Sequence, residues 1–304
     1  MVVFVIGGAG FIGRRVVRLL AAQGHEVVSL DVASADFSDL GKQVRSQWMD
    51  LTRFEDVIAA MATHKPQVVI NLSYMRENLP RPAMKVNVLG MDNCFEAARL
   101  SDVAHVVYSS SIAVNGSQAP YGHRKILETD PPCPAKQYSV HKVFNEWQAK
   151  EYREKHGMCI TGLRAAHISG GDKLIGSVDH VQCIVNPALG KRAVFDYRDR
   201  MRCIVYADDI AEVFVRLALK AQPEHPLYNS GGETLSLGKL ADIVRKFLPE
   251  ADISFEKESG GEALSGGYLF DNERLVREFG IQYPPYEQRV GRMIESVRRG
   301  QGAS

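Results

Sequence analysis

The sequence predicts an α/β fold: a doubly wound parallel sheet followed by a smaller α/β lobe in the C-terminal half. Three observations carry that prediction. Short apolar runs without polar alternation, Val2–Ile6, Val27–Leu30, Val68–Leu72 and His105–Tyr108, read as strands covered on both faces. Stretches of helical spacing lie between them, so β and α alternate along the first half. A chain of 304 residues is longer than one core usually fills, which argues for two lobes sharing a cleft.

The elements follow in order. Phe11–Gln23 carries Val16, Val17, Leu19 and Leu20 at helical spacing, and Phe54–Ala62, Ala83–Leu100 and Tyr138–His156 are further helices. Cys159–Leu163 is the next strand. The second half is less regular: Gly170, Gly171, Gly176, Pro187 and Gly190 break 168–200 into loops and short elements. Ala207–Ala218, Leu237–Phe247 and Arg289–Arg298 read as helices, Ser259–Gly267 as a flexible stretch, and Gly300–Ser304 as a frayed end. The expected division is a first lobe of 1–163, completed by about 203–220, with 164–202 and 221–304 forming the second.

Composition narrows the function. A net charge of +1 gives no electrostatic reason to expect nucleic acid or an anionic membrane. The five cysteines, Cys94, Cys133, Cys159, Cys183 and Cys203, form no C-x-x-C pair. They suit a reducing cytosol as small hydrophobes, with no disulfide framework and no metal site. The apolar N-terminus is too short for a signal peptide, and no apolar run reaches the roughly 20 residues that span a bilayer, so a soluble cytoplasmic protein is expected.

Two places carry chemistry. Gly7-Gly-Ala-Gly-Phe11-Ile12-Gly13 follows the first strand and opens the first helix. Gly7, Gly10 and Gly13 allow a pyrophosphate to approach the backbone and the helix to approach the strand, and the helix N-terminus offers N–H groups to the anion. Asp31 ends the second strand, where a carboxylate accepts from ribose hydroxyls and repels a 2′-phosphate; Val32, Ala33 and Ser34 follow, with no arginine among them. The pattern predicts NAD over NADP, with Asp50 and Leu51 bordering the adenine. The second place is Tyr138-Ser-Val-His-Lys142 at a helix start, where i and i+4 share a face. A free tyrosine titrates near about 10, so an ammonium beside it is needed to make it a base at neutral pH. Ser109-Ser110-Ser111 ends an apolar strand at the carboxyl edge, where α/β sites form.

With these motifs in hand, the chain resembles an extended short-chain dehydrogenase/reductase of the NAD-dependent epimerase/dehydratase family. The likeness runs through Gly7–Gly13, Asp31, Asn71–Tyr74, Asn87–Gly90, Tyr108–Gly116, Tyr138–Lys142, Leu163-Arg164, Arg202–Ile210 and Tyr228–Gly231. It implies a Rossmann lobe with a smaller substrate lobe, and a homodimer packed through helices near 92–100 and 138–156. It also implies Ser111, Tyr138 and Lys142 as the catalytic set. Leu72, Ser73, Asn87, Ser109 and Ser110 would line the cofactor, and Ser111, His167 and Arg202 the substrate.

The sequence departs from the family in three places. Ile112 and Ala113 follow Ser111 where dehydratases and decarboxylases carry an acid. His167 stands where sugar-nucleotide enzymes commonly have asparagine. Arg202 matches one diphosphate-binding arginine, but Ser259–Asp271 holds no counterpart of the second. The expected function is hydride transfer between NAD and a carbinol or ketone carbon of a small polar substrate, sugar-like or a hydroxy acid. Arg164 or Arg202 would anchor it. The alternatives are a nucleoside-diphosphate-sugar 4-epimerase and a non-catalytic NAD-sensing protein.

Overall fold

The computed structural model describes residues 1–75, 79–173 and 176–300. Seven strands form the large sheet: β1 (Val2–Ile6), β2 (Glu26–Asp31), β3 (Val44–Trp48), β4 (Val68–Asn71), β5 (His105–Ser111), β6 (Ile160–Ala165) and, later in the chain, Leu227–Asn229. Their order is Leu227–Asn229, β6, β5, β4, β1, β2, β3, all parallel. The chain leaves β1 toward β2 on one side and returns to β4 on the other. Such a reversal opens a crevice at the carboxyl ends of the strands.

Side chains alternate across β1, and each face has its own helical layer. Val3 and Val5 meet α1 (Gly13–Ala22) through Val16, Val17 and Leu20. Phe4 and Ile6 face α2 (Phe54–His64) and α4 (Gly90–Leu100), with Val57, Met61, Cys94, Phe95 and Ala98 in the layer, and a short α3 (Pro80–Met84) precedes the turn into α4. The long α5 (Gln137–His156) adds Ala149 to that layer.

The second lobe has its own core. A three-stranded sheet places β9 (Met201–Tyr206) between β7 (His167–Ser169) and β11 (Glu233–Ser236), and β8 (Ala193–Tyr197) pairs with β12 (Ile253–Lys257). Three helices, α6 (Asp179–Ala188), α8 (Leu237–Phe247) and α10 (Tyr286–Arg298), cover them through Val181, Ile184, Leu240, Val244, Val290 and Met293. The remaining helices are α7 (Ala207–Leu219), whose Ile210, Phe214 and Leu217 join the α1 side of the large sheet, and α9 (Glu273–Phe279).

Several expectations change. Leu227–Asn229, numbered here β10, was expected in the smaller lobe but pairs with β6 and extends the large sheet. Three residues carry too weak a pattern to show that. The segment 168–200 holds the expected short elements between loops, α6 and β8, and Pro187 in the last turn of α6 removes the one bond its nitrogen would donate to Cys183 O. Residues 174–175 of that segment, and 301–304 of the expected frayed end, lie outside the described residues. Ala83–Leu100 is helical throughout but not one α-helix, because Lys85–Leu89 is a π-helical turn. Ser259–Gly267 is tied down: the Gly260 and Gly261 N–H groups donate to Asp199, and Gly267 N donates to Gly116 O at 2.6 Å.

Burial pushes the Cys94, Cys183 and Cys203 thiols up to about 12, so these three behave as small hydrophobes, whereas Cys133 is exposed. No helix among the described residues is long and apolar enough to cross a membrane.

Candidate active site

Gly7 follows β1 with φ of +79°, a conformation side chains disfavour. A Cβ on it would lie 3.0 Å from Ser73 N, so Leu72 and Ser73 at the end of β4 press directly against the glycine turn. At Gly13 a Cβ would stand 2.0 Å from Gly7 O, and at Gly10 3.1 Å from the same oxygen. These close approaches let α1 start directly beneath the turn. No side chain caps its N-terminus, and its first turn holds no acidic residue. Donors and dipole there suit a pyrophosphate, with Phe11 and Ile12 half-buried at the helix start.

Asp31 closes the far side of the turn. Its carboxylate accepts from Ala9 N at 3.1 Å and from Ala33 N at 3.0 Å, which fixes it at the rim. Three other expected cofactor residues have partners within the protein. Asp50 Oδ1 accepts from the Thr52 N–H and hydroxyl, and the Leu51 side chain is buried against Gly90. Asn87 is buried, accepting from Met75 N at 2.9 Å and donating to Met75 O at 3.1 Å. It positions the loop after β4, and its amide is committed to that task. Its own carbonyl, in the π-helical turn, accepts from Asn145 of α5, and Gln148 donates to Val88 O. Side chains of α5 thus satisfy carbonyls in the turn.

The chemical end rests on α5. Ser139 caps its start, accepting from Lys136 N and donating to Lys136 O, and so fixes Tyr138 in the first turn. Lys142 is buried and donates to Ser109 O at 2.6 Å, with its ammonium 5.8 Å from the centre of the Tyr138 ring. Burial lowers the lysine to about 8, against the pull of Glu146. Tyr74, beyond the Leu72–Ser73 turn, meets Tyr138 edge-on with ring centres 5.0 Å apart. Ser111 Oγ accepts from Ala113 N, which leaves its hydroxyl proton to be donated elsewhere. Ser109 brings its carbonyl to Lys142. Ser110 turns the other way: its hydroxyl donates to Glu146 in the interior, so it does not line the crevice.

Both candidate substrate arginines have internal partners. Arg164 is almost fully buried and pairs with both oxygens of Glu146 at 2.8 Å, while also donating to Asn115 and Glu128 O. It cannot serve as a substrate anchor. Arg202 is buried too, forked onto both oxygens of Asp179 at the start of α6 and bonded to Met201 O. Burial opposes ionisation of Asp179, but hydrogen bonds from His180 and Arg202 hold it well below the usual carboxylate range. His167 lies beside this pair. Burial, reinforced by the Arg202 charge, lowers it to about 3, so it stays neutral. Its Nδ1 faces Cys203 O at 3.1 Å and must donate there, which makes Nε2 an acceptor.

A family model described as the NAD dependent epimerase/dehydratase family matches residues 3–231. The chain belongs to that family. Within it, a UDP-glucose 4-epimerase of Mycolicibacterium smegmatis is 31% identical over 70% of this chain and 71% of its own. The protein CapI of Staphylococcus aureus is 28% identical over 72% and 70%. Among solved structures, an L-threonine dehydrogenase from Clostridium difficile superposes with a TM-score of 0.86 at 19% identity, covering 98% of both chains. The NAD complex of a UDP-glucose 4-epimerase from Thermus thermophilus gives 0.84 at 23%, covering 98% of this chain and 99% of that one. As a family member the chain is an NAD-dependent oxidoreductase of the extended short-chain dehydrogenase/reductase type, and its glycine cradle fits that cofactor.

Proposed function

We propose that this enzyme moves a hydride between NAD and a carbinol or ketone carbon of a small polar substrate, sugar-like or a hydroxy acid. The observation that carries the reading is the Arg202–Asp179 pair. The cation expected to hold a diphosphate is already neutralised by a carboxylate, and the backbone N–H groups of Gly260 and Gly261 are held by Asp199. A diphosphate entering here would meet two carboxylates and have to displace both, whereas a small hydroxyl-bearing molecule can use the acceptor nitrogen of His167. Isothermal titration in the presence of NAD tests this. UDP should show no binding at millimolar concentration, and tight UDP binding would reverse the assignment.

The enzyme groups have separate tasks. Bound NAD supplies the hydride acceptor or donor. The turn Gly7–Gly13 would hold the pyrophosphate, Asp31 the adenosine ribose, and Leu72–Ser73 would line the nicotinamide end. Ser111 donates to the reacting oxygen, and Tyr138 takes its proton in oxidation or returns it in reduction. The Lys142 ammonium favours the phenolate form of Tyr138.

The second reading, a nucleoside-diphosphate-sugar 4-epimerase, draws support from the 31% identical relative. It uses the same groups but re-reduces the bound ketone before release.

The assembly we propose is a cytoplasmic homodimer. Val140, Phe144 and Trp147 stand exposed on one face of α5, and Leu89 is exposed at the end of the π-helical turn before α4. Phe95 and Ala98, on the helix near 92–100 expected at the same interface, are buried against the sheet instead. Sedimentation should give twice the chain mass for the wild type and a single chain for Trp147→Glu; a monomeric wild type at micromolar concentration would count against the dimer.

A further inference from the structure

The glycine turn has a second tether besides Asp31. Arg15, in the first turn of α1, donates through Nη1 to Phe11 O at 2.7 Å and to Asp172 Oδ2 at 3.0 Å. Its Nη2 donates to Asp172 Oδ1 at 2.7 Å, and its Nε to Asp208 Oδ1 at 2.8 Å. Arg14 adds a bond to Asp172 Oδ2 at 3.0 Å. The Arg15 guanidinium also lies 4.7 Å from the centre of the Phe11 ring. Both arginines therefore converge on one carboxylate that is only 12% exposed, and that carboxylate sits in the segment after β7.

One further contact joins the same parts. Gly170 packs so closely on Phe11 that a Cβ there would lie 2.8 Å from the ring edge. Lys173, next to Asp172, donates to Ile168 O and Ser177 O, both at 2.7 Å. The segment that presents Asp172 begins at Gly170, three residues beyond His167, so it is continuous with the proposed substrate pocket. Beside the junction a cavity of about 800 Å³ runs from Ala9 and Ser34 to Asp172 and Asp208.

We propose that Asp172 is a positioning residue that latches the substrate segment onto the cofactor turn and thereby slows release of NAD and NADH. The proposal rests on the cofactor lying over Gly7–Gly13, as read above. With the latch closed, the glycine turn and the start of α1 are held at two points, by Asp31 through Ala9 and by Asp172 through Arg15. Opening it frees the turn at one of the two points. A dehydrogenase must exchange its cofactor at every turnover, so this contact would have to break and reform in each cycle.

The test is NADH release from the purified full-length protein, followed by nucleotide fluorescence after rapid mixing with excess NAD. Asp172→Asn should release NADH about tenfold faster, as expected for truncating one partner of a largely buried charge pair. Asp172→Glu should recover most of the slow rate. Asp39→Asn removes the exposed pair of the same helix with Arg18 and should leave the rate unchanged. An unchanged release rate in Asp172→Asn, or an equal rise in Asp39→Asn, overturns the latch. Gly13→Ala separates the two claims, because its Cβ would collide with Gly7 O and should abolish NADH binding. Normal binding by Gly13→Ala would show that the cofactor lies elsewhere.

Discussion

Tyr138→Phe is expected to lower turnover by about 10²–10⁴-fold, the usual contribution of a general acid–base group, while NAD affinity stays nearly unchanged. The substitution removes one oxygen and leaves the ring, its edge contact with Tyr74 and the first turn of α5 in place. Lys142→Met should act on both quantities, since the ammonium lies near Tyr138 and is expected to reach the nicotinamide ribose. The pH profile adds a second readout. Burial lowers Lys142 to about 8 in the free enzyme, so it carries its charge below that pH and loses it above. The kcat/KM profile should therefore turn down near pH 8 on its alkaline side, and Lys142→Arg, which keeps its charge, should move that limb upward. Retention of most activity by Tyr138→Phe would remove this tyrosine from the chemistry.

The second large effect concerns stability. Arg164→Ala should destabilise the fold by about 3–5 kcal/mol, because it strands the Glu146 carboxylate in the interior. The arginine side chain is 3% exposed and its partner 14%. Ser110 would remain as one donor to Glu146, but the two guanidinium bonds would be gone. Lysine at this position should rescue only part of the loss, since a point charge cannot reproduce the paired fork. Urea denaturation measures it directly. A change below about 1 kcal/mol, the range of exposed pairs, would mean the pair is far wetter than its burial shows.

Local signals were readable in the sequence, and partner choice was not. The strand–glycine–helix start, the carboxylate at the end of β2 and the i, i+4 pair Tyr138–Lys142 are short-range patterns, and each lands where its spacing implies. Arg202 and Asp179 are 23 residues apart, and Arg164 and Glu146 are 18 apart, so nothing local assigns one to the other. Arg164 was therefore read as a substrate anchor although it is a core ion pair. Asn87 stands in a similar position: its type suited the cofactor, yet the π-helical turn aims it at Met75. Periodicity alone could not separate Phe95, buried beneath α4, from Trp147, exposed on α5. Both sit on amphipathic helices, and only packing decides which face meets the sheet. The Asp172 junction was likewise invisible, because it joins residues 157 and 158 positions apart.

The central claim is that the site releases an oxidised or reduced small molecule rather than interconverting a nucleotide sugar. The direct measurement is one incubation series with purified enzyme and NAD, run against polyols, hydroxy acids and UDP-sugars, with NADH absorbance and product identity followed together. A small polyol or hydroxy acid should yield net NADH in step with its ketone, and UDP-sugars should be returned unchanged. Interconversion of UDP-glucose and UDP-galactose without NADH accumulation would contradict it and make this enzyme an epimerase.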